Sequence, residues 1–115
     1  MHELSLAQGL VEQLRQTAEA EGATRVTSVT VVIGNYSGVE PDAFEFAFPF
    51  ATEGTLVDGA ELIIDLLPVS VECRQCKTTS HPEPINLVCM KCGSDDVVLQ
   101  GGREFLIRSV EIDVP

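Results

Sequence analysis

The sequence predicts a small α+β protein, an α/β body with a cysteine-bearing lobe inserted ahead of its last strand. Three observations predict it. Apolar residues near the start recur at helical spacing, and three later stretches are rich in apolar and β-branched residues. All four cysteines fall into two Cys-x-x-Cys pairs, and both pairs lie between the second and third of those stretches.

The first element is a helix. Leu4, Ala7, Val11, Leu14 and Ala18 form one face, widened by Leu6 and Leu10. Ser5-x-x-Gln8 has the form of a capping box, and Gly22 supplies a stop. Gly9 sits inside this helix at a cost of about 1 kcal/mol against alanine, which predicts a close packing contact there. The helix is expected to begin almost at the first residue, holding Met1–Glu3 close to a structured element.

Arg25–Ile33 reads as a strand closed by Gly34-Asn35. Ala60–Leu67 and Glu104–Val114 read as two more, mostly apolar with limited alternation, as in strands covered by helices. Residues 41–52 fit two periods. Phe44, Phe46, Phe48 and Phe50 alternate as in a strand, whereas Phe44, Ala47, Phe48 and Ala51 form a helical stripe behind Pro41. A short helix that ends or kinks near Pro49 is the preferred reading, with the phenylalanines in the core. Residues 70–102 form the inserted domain, and residues 1–69 with 103–115 form the body.

A net charge of −11 with only seven Lys and Arg argues against a phosphate-backbone binder, which needs a basic face. No apolar run approaches the roughly 20 residues that span a bilayer, and no signal peptide is evident, so a cytoplasmic protein is expected.

Cys73-Arg-Gln-Cys76 and Cys89-Met-Lys-Cys92 are two knuckles that can close four thiolates around one ion. A zinc ion so enclosed keeps no open position for substrate, so it builds the fold. Rubredoxin-like iron also takes four thiolates, and a redox dithiol needs only one such pair. Gly93 permits the tight turn after the second pair, whereas Lys77 follows the first.

The amino terminus offers a second chemistry. The Met1 amine, the His2 amide nitrogen and the near imidazole nitrogen of His2 can close fused five- and six-membered chelate rings in one plane. The amide or carboxylate of Glu3 can complete or flank the set. A planar nitrogen and oxygen set suits Ni(II) or Cu(II). Spacing alone leaves open that His2 is simply a solvated second residue.

Met1-His2-Glu3-Leu4-Ser5 resembles the start of the HypA/HybF family of hydrogenase-maturation nickel chaperones. So do Gly38-Val39-Glu40-Pro41 with the Phe-rich segment, Glu53-Gly54-Thr55, Gly59-Ala60-Glu61-Leu62, and the two cysteine pairs that follow. The resemblance covers essentially the whole chain. It implies two helices packed on a three-stranded mixed sheet as the nickel-binding domain, with a zinc-ribbon-like four-cysteine domain inserted before the last strand. It implies His2 as the nickel ligand with support from Glu3, and Cys73, Cys76, Cys89 and Cys92 as zinc ligands. Family members often carry Gly where this chain has Lys77, and an acid where it has Glu40.

On that reading the protein is a nickel metallochaperone and not an enzyme. It holds Ni(II) through the Met1 amine or nearby backbone nitrogens, His2 and Glu3, and carries structural Zn(II). Its expected partners are the GTPase of hydrogenase nickel insertion and the hydrogenase large subunit, with no nucleic acid and no membrane. A monomer or weak homodimer is expected. Glu40 and His81 are further candidates for assisting metal binding. The rivals are a zinc-ribbon module for nucleic acid or protein interaction, and a rubredoxin-like electron carrier.

Overall fold

The computed structural model describes residues 2–115. In chain order the elements are α1 (His2–Ala20), β1 (Arg25–Gly34), α2 (Pro41–Thr52), β2 (Glu61–Leu67), β3 (Ser70–Cys73), β4 (Thr79–Ser80), β5 (Val97–Gly101) and β6 (Phe105–Asp113). They make two three-stranded sheets, ordered β2-β1-β6 and β4-β3-β5. The architecture is α+β. The chain divides into two compact units: Met1–Val31 with Val39–Asp65 and Ile107–Pro115, and Val32–Gly38 with Leu66–Leu106.

In the first unit α1 buries Ala7, Leu10, Val11, Leu14 and Ala18, while Leu4 and Leu6 of the predicted face are half-buried. It starts at His2, so Ser5 lies inside the helix and the Ser5–Gln8 capping box is not its start. Acidic Glu3 occupies the first turn instead, where it complements the helix dipole. The far end closes as a Schellman turn. The Ala23 N–H donates to Ala18 O at 2.9 Å and the Gly22 N–H to Glu19 O at 3.1 Å, with Gly22 at φ 69°. Gly9 corrects another expectation. It is exposed, and a Cβ placed there would meet nothing within 4 Å, so it serves no close packing.

Helix α2 packs against α1. Glu40 is its N-cap, accepting the Asp42 N–H at 3.4 Å, and Pro41 follows at the first position, where no N–H is needed. The helix runs through Pro49 to Thr52 rather than ending at the proline. Pro49 sits in the last turn, where one missing bond costs little continuity, and Thr52 Oγ1 donates to its carbonyl at 3.1 Å. The helical period also divides the phenylalanines. Phe44 and Phe48 are buried with ring centroids 6.1 Å apart, while Phe46 and Phe50 stand outside the core.

The bonds from Val26 N to Leu56 O and from Asn35 N to Leu67 O advance together along both segments, so β1 and β2 are parallel. Thr24 N to Asp113 O and Gly34 N to Glu104 O run oppositely, so β6 is antiparallel to β1 and the sheet is mixed. Only the central strand is covered, with Val26, Val29, Val31, Val32 and Ile33 all buried. The edge strands β2 and β6 contain no buried residue, and Ile63, Leu66 and Leu106 are exposed. The expectation that these two strands lie under cover is therefore corrected, because both are edge strands and carry only exposed and half-buried residues.

In the second unit, Val69, Val71, Cys73 and Cys89 are buried. Strand β3 pairs antiparallel with β4 and β5, with a register shift between Ser70 and Val71. The end of β1 ties the strands that enter and leave this lobe. Asn35 N donates to Leu67 O at 2.8 Å, Tyr36 N to Gly102 O at 2.6 Å, and Gly34 N to Glu104 O at 2.6 Å. The approach is so close that a Cβ at Gly34 would strike the Gly102 carbonyl and lie 2.7 Å from Glu104 N.

Candidate metal centres

The two knuckles are built alike, sixteen positions apart in sequence. In the first, Cys73 N donates to Thr78 O at 3.0 Å and Lys77 N to Cys73 O at 3.0 Å. In the second, Cys89 N donates to Ser94 O at 2.8 Å and Gly93 N to Cys89 O at 2.9 Å. Cys76 N points at Cys73 Sγ and Cys92 N at Cys89 Sγ, each at 3.4 Å. The turn residues share a left-handed backbone, φ 64° at Lys77 and 79° at Gly93. A lysine there carries the Cβ strain that glycine avoids. The knuckle keeps its geometry regardless.

These turns bring all four Sγ atoms within 4.8 Å of one another. Cys73 and Cys92 approach to 3.6 Å, as do Cys76 and Cys89. A tetrahedron with metal–sulfur bonds of about 2.3 Å has edges of about 3.8 Å, so the donor set fits one tetrahedral ion. All four cysteines are free of disulfides. The thiols do not titrate alike. Thr78, through its side chain and then its backbone, pulls the Cys76 thiol down to about 6. The Cys92 backbone N–H leads in lowering Cys89. The backbone at Ser94 pulls Cys92 down, but the Cys73 thiol, burial and the other two thiols outweigh it and push Cys92 up to about 11. Crowded thiols resist joint ionisation unless a cation joins them. Thr78 is a supporting residue that spacing does not single out. It lies two residues beyond the first pair, where a hydroxyl can reach back to the sulfur.

His81 stands apart from this cluster. Its Nδ1–H donates to the Val69 carbonyl at 2.9 Å. The neighbouring Ser80 Oγ accepts the Met90 N–H at 3.2 Å, tying β4 to the second knuckle.

The amino-terminal candidates sit at the start of α1. Met1 lies outside the described residues. His2 opens the helix with an exposed side chain, and its Nδ1 lies 3.3 Å from Glu3 Oε2. The same oxygen accepts the Glu40 N–H at 3.3 Å. That bond first, and the His2 ring second, hold the Glu3 carboxyl below its ordinary value of 4.5. Glu40 spends its own carboxylate on capping α2. The link from Glu3 to Glu40 joins residues 37 positions apart, which no local pattern announces. Among the described residues, the four cysteines are the one group of three or more metal-ligating side chains gathered closely enough to share an ion.

The family model for "Hydrogenase/urease nickel incorporation, metallochaperone, hypA" matches residues 1–112. The hydrogenase maturation factor HypA of Nitrosospira multiformis is 42% identical over 112 residues, covering 97% of each chain. That of Caldanaerobacter subterraneus subsp. tengcongensis is 39% identical over 114 residues, covering 98% of this chain and all of its own. The solution structure of the Ni metallochaperone HypA from Helicobacter pylori superposes with a TM-score of 0.69 at 30% identity, covering 98% of both chains. The chain belongs to the HypA family of hydrogenase and urease nickel-incorporation metallochaperones.

Proposed function

We propose that this protein carries Ni(II) at its amino terminus, in residues 1–69 with 103–115, and uses residues 70–102 as a zinc-binding domain. The observation that supports the first part is the start of α1 at His2. The N–H groups of a helix's first residues have no partner inside the helix. The His2 and Glu3 amides can therefore serve as ligands without dismantling backbone structure. His2 supplies the imidazole, the Met1 amine completes the chelate, and Glu3 lies alongside His2 at 3.3 Å. A bare cation is disfavoured at the positive end of a helix dipole, but deprotonated amides and the Glu3 carboxylate make the assembly anionic.

A carrier must also release its cargo. Among the described residues the exposed imidazole is held by its contact to Glu3, so few protein contacts break when nickel leaves by ligand exchange. His2 Nδ1 cannot bind nickel while it is hydrogen-bonded to Glu3, so loading and unloading trade one partner for the other. Cys73, Cys76, Cys89 and Cys92 would hold zinc, which ties the two knuckles together and supplies folding energy rather than reactivity. The chain is a carrier and not an enzyme on this reading. It acts in the cytoplasm with the GTPase of hydrogenase nickel insertion and the hydrogenase large subunit, as a monomer or weak homodimer.

The role of the amine is tested by placing extra residues ahead of Met1, which moves the primary amine away from His2. Nickel affinity should fall at least ~10-fold, about 1.4 kcal/mol, with zinc content unchanged. Equal affinity in the two chains would remove the Met1 amine from the ligand set.

A further inference from the structure

We propose that the outer face of α2 is a docking strip for an amphipathic, basic segment of another protein. Its exposed residues are Asp42, Glu45, Phe46, Pro49 and Phe50, followed by the C-cap Glu53. These positions fall on one stripe of a helix, three and four residues apart. At its centre Phe46 and Phe50 are 69% and 63% exposed, with ring centroids 5.6 Å apart. Phenylalanine carries a large apolar area, and two adjacent exposed rings on one helix keep that area in water. The fold does not need them there, because the core position of this helix is already filled by Phe44, Ala47 and Phe48.

Charge selects the occupant. The apolar centre is bordered by Asp42, Glu45 and Glu53, and α2 has no basic residue. The three arginines of the same unit are engaged elsewhere, Arg15 with Glu12 and Glu19, Arg25 with the Asp58 carbonyl, and Arg108 with Asp65. Among the described residues no cation pairs with the three bordering acids. The complementary surface therefore presents apolar side chains flanked by Lys or Arg. A second copy fits badly, since two-fold pairing would set this acidic border against itself on chains of net charge −11. Anionic lipid and nucleic acid are repelled by the same border. The proposal stands on α2 alone and does not depend on the nickel reading.

The probe is a synthetic helical peptide with Leu on one face and Lys on the other, with a Leu/Glu peptide as its counterpart. Binding to the full chain is followed by fluorescence anisotropy and by amide chemical shifts. The Leu/Lys peptide should perturb amides of residues 42–53. The Phe46→Ser/Phe50→Ser chain, which keeps every charge, should lose at least ~10-fold in affinity. Phe46→Leu/Phe50→Leu should retain binding, which separates lost apolar contact from a damaged helix, and unchanged thermal melting of the serine chain checks the same point. Equal binding by the serine chain would overturn the proposal. So would equal binding of the Leu/Glu peptide, or sedimentation showing a dimer that the serine substitutions dissociate.

Discussion

The carboxylate of Glu3 accepts the backbone N–H of Glu40 at 3.3 Å while also meeting the His2 ring. One side chain thereby joins the first turn of α1 to the cap of α2. It also restrains the His2 imidazole, the proposed nickel ligand. Glu3 thus has a structural partner that persists whether or not a cation is bound to His2.

That contact carries a pH signature. Glu3 is held below its ordinary 4.5, chiefly by the Glu40 N–H. A depressed carboxyl contributes stability that is present above its unfolded value and is lost as pH falls through its lower folded value. Wild type should therefore melt at a higher temperature than Glu3→Gln at neutral pH, with the gap closing below 4.5. Any metal loss from the four cysteines in acid would affect both chains alike, so the difference between their melting temperatures isolates Glu3. A gap constant from neutral to acid pH would contradict the assignment.

Two glycines should respond in opposite directions. Gly34→Ala drives a methyl into the Gly102 carbonyl, where backbone faces backbone, and should cost about 3 kcal/mol or more. Gly9→Ala meets open space on an exposed helix face and should stabilise by about 0.5–1 kcal/mol. Urea unfolding of both variants checks the pair.

Lys77→Gly should relieve the left-handed strain at φ 64°, raising stability by about 1 kcal/mol with metal content unchanged. If the lysine side chain instead supports the knuckle, the variant will be less stable in the same denaturant series.

Removing the ion from the four cysteines with a chelator should release the amides of β3, β4 and β5 to hydrogen exchange. Those three short strands are ordered around Cys73 and its partners, and unmatched thiols lose their common cation. Amides of α1, whose core is built from Leu10, Val11 and Leu14, should remain protected. Uniform loss of protection in both units would show that the thiol cluster organises the whole chain.

Much of this architecture could be read from residue order. The stripe of α1 and the β-branched run of β1 are strong, long signals. The Cys-x-x-Cys spacing announces that four sulfurs can meet. The Phe-rich segment shows where such reading stops. Phe44 through Phe50 satisfy periods of 2 and 3.6 at once, and Pro41 with the Glu40 cap decides for helix. Once it is a helix, Phe46 and Phe50 must turn outward, which a count of hydrophobic residues cannot show. The apolar edge strands likewise read as covered, because composition does not tell which strand is central. The Glu3–Glu40 link was hidden for a different reason, since it depends on the docking of α2 beside α1.

Nickel binding at the amino terminus through His2 can be measured head-on. The direct measurement is calorimetric titration of Ni(II) into the untagged chain and its His2→Ala variant, with zinc quantified in both. Wild type should take up about one nickel per chain, and the variant should lose that binding with equal zinc. Nickel bound equally by both chains would contradict binding through His2 and direct the search to the cysteine lobe.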